Sequence, residues 1–364
     1  ERLGRWAVDP LIGWPVLAAV LYAVYLFVGV FGAGVLVGLL EENFFGAIVN
    51  PWLTGLVATI IPFPLVQSFL VGEFGLFTMA LTYAFAIVLP IVGTFFLAFS
   101  VLEDSGYLPR LAVMLDRAFR TMGLNGKAVL PMILGLGCDT MATMATRILD
   151  SRKERIQVTL LLALGVPCSA QLGVLLGMVG GLGLWALAVW GGVVVATMLV
   201  VGWLAARVIP GKQSDFILEL PPLRLPEWRN VVIKTLARME WYLKEVVPIF
   251  VLGTGLLFAL DLFGALAWIQ QALAPLVVGW LGLPIAATDA LLVGFLRRDY
   301  GAAGLFDLAQ QGLLDPVQIV VSMVVITLFV PCIANFLMIV KEYGVRIGLA
   351  VAATVFPLAL LVGG

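Results

Sequence analysis

The sequence predicts an all-α polytopic membrane protein with about eight transmembrane helices, arranged as two inverted repeats that contain broken or re-entrant helices. Composition is the first reason. Of 364 residues, 62% are hydrophobic and 12% charged, where an average soluble domain is about 45–50% apolar and about 25% charged. Hydropathy is the second: a mean value of +1.11 on a 39.1 kDa chain leaves too little polar surface for a water-soluble globule. The third is that two stretches of the chain resemble each other and carry helix-interrupting Gly and Pro inside apolar runs.

A span needs roughly 20 apolar residues to cross the hydrocarbon core. Leu11–Leu40 supplies the first, introduced by Asp9-Pro10 and Trp14-Pro15. Residues 41–72 are apolar but cut by Pro51, Pro62 and Pro64, and read as interfacial helices. Phe74–Leu102 is the second span. Residues 103–127 set Leu108, Leu111, Met114 and Leu115 against Arg110, Asp116, Arg117 and Arg120, the pattern of a helix lying in the interface. Ala128–Leu149 is long enough to cross, yet Pro131, Gly135, Gly137, Cys138 and Asp139 stand in its middle. Residues 156–181 and 182–208 span, joined by a Gly-rich turn. Residues 209–246 form a polar linker that ends in an amphipathic helix. Residues 247–264 span, 265–283 are interfacial, 284–306 are interrupted by Arg297-Arg298-Asp299, and 316–340 and 345–362 close the chain. The expected organisation is therefore N-terminal spans in 1–102, a first repeat in 103–208, a cytoplasmic linker in 209–246, and a second repeat with the last span in 247–364.

Lysine and arginine set the orientation. Arg147, Arg152, Lys153 and Arg155 mark one cytoplasmic loop, residues 209–246 mark another, and Arg2 and Arg5 place the N-terminus on the same side. Residues 103–127 also read as cytoplasmic, although one apolar segment separates them from Arg147. A re-entrant helix between them resolves the conflict.

Several function classes are excluded. Histidine is absent, which removes Ser-His-Asp and Cys-His catalysis and His-ligated haem, zinc or iron. The three cysteines lie far apart without a CxxC, which argues against a disulfide framework or structural zinc. The balance of 21 basic and 22 acidic residues offers nucleic acid no attraction. Gly123-Leu-Asn-Gly-Lys127 imitates a phosphate loop, but Thr121 stands where its first glycine belongs and Ala128 where its hydroxyl belongs. No nucleotide-binding domain is expected in this chain. Glu1 in place of an initiator methionine suggests a longer parent protein.

The repeat pairs Leu134-Gly-Leu-Gly-Cys-Asp139 and Val166-Pro-Cys-Ser-Ala170 with Val293-Gly-Phe-Leu-Arg-Arg-Asp299 and Val330-Pro-Cys-Ile-Ala334. Gly135 matches Gly294 at an offset of 159, and Val-Pro-Cys matches at 164. Inverted repeats of transporters place their site at the repeat interface near mid-bilayer. A carboxylate at membrane depth is expensive and marks function, so Cys138 and Asp139 are candidate ligands of a borderline divalent metal. Cys168 and Cys332 join them, because Pro167 and Pro331 each free a backbone carbonyl one turn earlier. Met141 and Met144 read as packing. Arg297 and Arg298 read as a structural lock closed by the adjacent Asp299. Ser169 and Asn335 flank the cysteines, either lining a path or bonding to backbone.

These motifs carry a family resemblance. Leu102-Glu-Asp-Ser-Gly-Tyr-Leu-Pro-Arg110, Gly135-Leu-Gly-Cys138, Thr146-Arg147, Arg297-Arg-Asp-Tyr-Gly-Ala-Ala-Gly-Leu305 and Pro331-Cys-Ile-Ala334 resemble the membrane part of the bacterial ferrous iron transporter B (FeoB) family, in order and over nearly the whole chain. The resemblance implies two Gate-type repeats, iron(II) as the transported substrate, and multi-pass residence in a bacterial inner membrane. It also implies a cytoplasmic G-domain upstream that brings GTP and magnesium, with a small accessory protein and a homo-oligomer as further partners. The chain itself is then a permease and not an enzyme. Two departures stand out. Gly137-Cys-Asp-Thr-Met141 replaces the family's Gly-Cys-Asn-Val-Pro, and Gln171 replaces an arginine; both changes shift the local field toward cations. The alternative is a Gate-type transporter of a nucleoside or other organic solute. If Ala128–Leu149 is re-entrant, cysteines placed at Ser105 and Ser151 in a Cys-free background label from the same cytoplasmic side; labelling from opposite sides would refute it.

Overall fold

A computed structural model describes residues 13–72, 75–180, 182–211, 223–296, 298–329 and 331–364, which are helical with no strand among them. Glu73 and Arg297, and the side chains of Asp261 and Asp299, lie outside the described residues. Among the described residues, five helices are long and apolar enough to cross a membrane: Gly13–Ile60, Ala84–Asp104, Trp185–Val208, Pro316–Tyr343 and Val345–Gly363. The expected all-α membrane class is borne out.

The chain divides into two units. Residues 20–105 and 225–269 make the first, and its longest element is α1 (Gly13–Ile60). Interfacial helices cut at Pro51 were expected over residues 41–72; instead α1 runs through Pro51. Its turns over Tyr25–Leu36 and Leu39–Val49 are π-helical, and Asn50 N donates to Phe45 O five residues back. A π-turn is wider than an α-turn, so the proline ring meets less of the preceding carbonyl. The helix stops at extended Ile61, before Pro62, and Pro64 occupies the first turn of α2 (Pro64–Val71), where its missing amide costs nothing. Next, α3 (Leu89–Asp104) meets α1 at Gly32, where a Cβ would fall 2.3 Å from Thr94 Oγ1.

The unit closes with α10 (Trp228–Leu262), a single helix that passes Pro248 and the boundary drawn at residue 246. Its start is capped from α3: Asp104 Oδ2 accepts from Glu227 N at 2.8 Å. Arg238 donates to Glu103 at 2.6 Å and to Ser100 at 3.1 Å. These bonds account for the Glu-Asp pair of the Leu102–Arg110 motif.

The second unit begins at Gly106, whose φ of 76° is left-handed and suits glycine. It holds α4 (Tyr107–Thr121), α5 (Val129–Gly137), α6 (Asp139–Ala145), α7 (Arg152–Gly165), α8 (Ser169–Gly180) and α9 (Leu184–Val208). The second copy supplies α11 (Ala265–Pro275), α12 (Ala286–Leu296), α13 (Arg298–Gln310), α14 (Pro316–Leu328), α15 (Ile333–Tyr343) and α16 (Val345–Gly363). The order α4 to α9 is repeated by α11 to α16. With 9 and 7 residues, α5 and α6 reach only roughly 14 and 11 Å, so neither crosses alone.

Packing follows the same repeat. A Cβ on Gly135 would fall 2.5 Å from Leu162 Cδ2, and one on Gly294 2.8 Å from Ile326 Cδ1. Leu162 and Ile326 are themselves separated by the 164-residue offset and are both fully buried. Each glycine thus seats its short helix against the broken helix that follows. Gly301 goes further: its Cβ would lie 2.4 Å from Gly294 Cα and 2.7 Å from Ala290 O. Backbone cannot move aside as a side chain can, so Gly301→Ala is expected to destabilise the protein by at least about 2 kcal/mol, read as a lower melting temperature in detergent.

Candidate functional site

The site forms where four helices are interrupted. Cys138 is extended (φ −156°, ψ 117°) between α5 and α6; its N–H closes α5 on Leu134 O at 2.9 Å, and its carbonyl opens α6 by accepting from Ala142 N at 3.0 Å. Cys168 O accepts from Leu172 N at 2.8 Å, and Cys332 O from Phe336 N at 2.9 Å. Every cysteine of the chain therefore takes the first bond of a half-helix: α6, α8 and α15. None of the three is in a disulfide, and all are partly exposed. At such a position the unpaired amides and the helix dipole favour negative charge.

The half-helix ends that precede these breaks present carbonyls, and Arg298 fills them. Its Nη1 donates to Asp139 Oδ2 at 2.8 Å and to Val166 O at 3.3 Å; its Nη2 donates to Ala163 O at 2.5 Å and to Phe329 O at 3.0 Å. Ala163 O is the carbonyl that Pro167 deprives of a partner, since an amide at 167 would bond four residues back. Val166 and Ala163 belong to the break after α7, and Phe329 to the break after α14. Arg298 and Asp139 are 3% and 5% exposed. Two expectations change here. The arginine was to be closed by its neighbour Asp299, and its carboxylate partner is Asp139, 159 residues away. The carbonyl freed by Pro167 was to stand open beside Cys168, and a guanidinium occupies it.

That separation of 159 is the repeat offset of Gly135 and Gly294. Asp139 and Arg298 occupy equivalent positions in the two copies, and equivalent residues touch only on the axis relating the copies. Cys332 opens α15 three residues beyond Phe329, whose carbonyl Arg298 holds. Cys168 stands two residues beyond Val166 at the same break. Among the described residues, no three His, Cys, Asp or Glu side chains converge as a metal cluster.

A second equivalent pair lies one turn past the cysteines. Gln171 and Asn335 are fully buried and share the 164-residue offset. Gln171 Nε2 donates to Ile326 O at 2.9 Å, and Asn335 Oδ1 accepts from Thr143 Oγ1 at 2.8 Å. Each bond crosses between copies. Gln171 Oε1 and Asn335 Nδ2 stay without protein partners. Sequence inspection placed Asn335 near a path and treated Gln171 only as a departure; aligning the copies would have exposed both amides. Farther along, Thr146 Oγ1 and Tyr343 Oη are 2.5 Å apart, and Arg147 pairs with Glu342.

Interrupted helices, an axial ion pair and repeated crossings define a polytopic membrane protein of Gate-repeat construction. A family model described as "Gate: Nucleoside recognition" matches residues 85–182 and again 243–346, and one described as "Ferrous iron transport protein B C terminus" matches 187–238. The Fe(2+) transporter FeoB of Methanocaldococcus jannaschii is 30% identical over 295 residues, 70% of this chain and 43% of that protein. That of Staphylococcus aureus strain COL is 30% identical over 287 residues, 70% of this chain and 42% of that protein. That of Salmonella typhimurium is 31% identical over 181 residues, 48% of this chain and 23% of that protein. The chain belongs to the FeoB family, as its Gate-repeat membrane domain, and spans less than half the length of these curated relatives.

Removing Asp139 leaves a guanidinium buried without its counter-charge. Asp139→Ala is expected to lower stability by about 3–5 kcal/mol, measured by thermal unfolding in detergent; a wild-type melting temperature would show that the pair carries no structural load.

Proposed function

We propose that this chain is the permease module through which ferrous iron crosses a bacterial plasma membrane, coupled in the full-length protein to a cytoplasmic G-domain that hydrolyses GTP. The observation that carries the proposal is the placement of all three cysteines at the first residues of half-helices in the repeat unit, with Asp139 beside one of them. Thiolate favours a borderline ion such as iron(II) over magnesium or calcium, and discontinuous helices are where membrane transporters build their ion sites. The named relatives are Fe(2+) transporters, which supports the same substrate. Cys138, Asp139, Cys168 and Cys332 are the proposed metal-path residues. Neither chemical transformation nor a resident cofactor enters this proposal: the chain moves the ion, and GTP with its magnesium acts through the G-domain.

One observation favours an organic solute instead, namely the spare acceptor of Gln171 and the spare donor of Asn335. Both amides already tie the copies together. Anaerobic uptake into proteoliposomes decides between the readings. Iron(II) should enter and unlabelled nucleosides should not compete. A Cys138/Cys168/Cys332→Ser protein should lose most uptake, because its path holds no thiolate. Uptake at the parental rate by that variant would exclude the thiolate path, and competition by nucleosides would favour the alternative.

A further inference from the structure

The guanidinium of Arg298 sits where a cation would be expected. Its ligands are Asp139 Oδ2 and the carbonyls of Ala163, Val166 and Phe329. Four oxygens drawn from both copies are a donor set that suits a divalent ion. The carbonyls come from the C-terminal ends of α7 and α14, where the helix dipole is negative. Transporters coordinate their coupling cations with such ends. The pocket is also not saturated: Asp139 Oδ1 is buried without a partner, as is Arg298 Nε. Asp139 Oδ1 lies 3.2 Å from the place a Gly135 Cβ would take, so only glycine at 135 leaves that oxygen its space. Cys138 precedes Asp139 and Cys332 follows Phe329 by three residues, so thiols flank these oxygen donors along the chain.

We infer that Arg298 is a tethered counter-cation on the repeat axis, and that a divalent metal ion takes this oxygen site by displacing the guanidinium from Asp139 and the half-helix carbonyls. The inference rests on the transport reading of the same site and adds its control element. A guanidinium and a divalent ion sharing the Asp139 carboxylate and the same carbonyls would lie within a few ångströms and repel each other, so occupancy by one disfavours the other. Among the described residues Arg298 bonds to the ends of both broken helices, so its release removes a tie between α7 and α14. Metal arrival is thereby coupled to loosening of the two copies, which is the requirement of alternating access.

The test is anaerobic titration of the purified membrane protein in nanodiscs with cobalt(II), whose absorption reports coordination, and with iron(II). Arg298→Gln should bind either ion at least about tenfold more tightly than the parent, and adding Asp139→Asn should abolish the gain. Affinity unchanged in Arg298→Gln, or a gain that survives in the double variant, overturns the inference. Should Arg298→Gln prove too unstable to purify, Arg298→Lys retains the charge but gives up the fork of bonds. It should bind severalfold more tightly than the parent and gain thermal stability when cobalt(II) is added; parental affinity overturns the inference here too. Iron uptake by the parent in proteoliposomes separates the two readings. A parent that does not transport iron, with tightened binding in Arg298→Gln, refutes the transport reading and supports the displaceable cation. A transporting parent with no tightening in Arg298→Gln refutes the displaceable cation alone.

Discussion

A charge withdrawn from water into an apolar interior costs several kcal/mol even after relaxation, and the second unit of this chain buries Asp139 and Arg298 where its two repeats meet. Neither can stand alone. Arg298 needs an anion and three carbonyls, and the fold supplies them by interrupting two helices, with Pro167 releasing Ala163 O at the first, and by starting α6 at Asp139. The Gly135 and Gly294 crossings bring the short helices close enough for the bonds to form. Breaks, glycines and prolines are thus parts of one arrangement whose purpose is to satisfy a buried guanidinium.

Symmetry explains why the pair lies where it does. Two copies related by an axis place equivalent residues against each other on it. Identical charges there would repel, and opposite charges attract. At that position one copy carries Asp and the other Arg, while both carry Val-Pro-Cys and the buried amide that follows. Inter-copy bonds from Gln171 and Asn335 extend the contact along α8 and α15.

Much of this was legible in the amino-acid sequence. Membrane class followed from composition, the repeat from two matched strings, and the family from five motifs in order. The misses have physical causes. Pro51 looked like a break, but π-turns before it make room for its ring; the boundary at residue 246 followed the end of a polar stretch, and α10 carries one helix across it. Arg298 was matched to Asp299 because they are neighbours in sequence; on a helix, consecutive side chains diverge, and the partner came from the other copy. The signal was present in the offset of 159 that joins Gly135 to Gly294, which also joins Asp139 to Arg298. Spare polar atoms on Gln171 and Asn335 could not be read without coordinates, because burial and bonding geometry decide them.

The central claim is that Asp139 and Arg298 form one energetic unit across the repeats. A double-mutant cycle on thermal or chemical unfolding in nanodiscs, using Asp139→Asn, Arg298→Gln and the pair, measures it most directly. The account predicts a coupling of about 2–3 kcal/mol, with the doubly neutral protein more stable than either single variant. Additive single effects, with a coupling near zero, would contradict it.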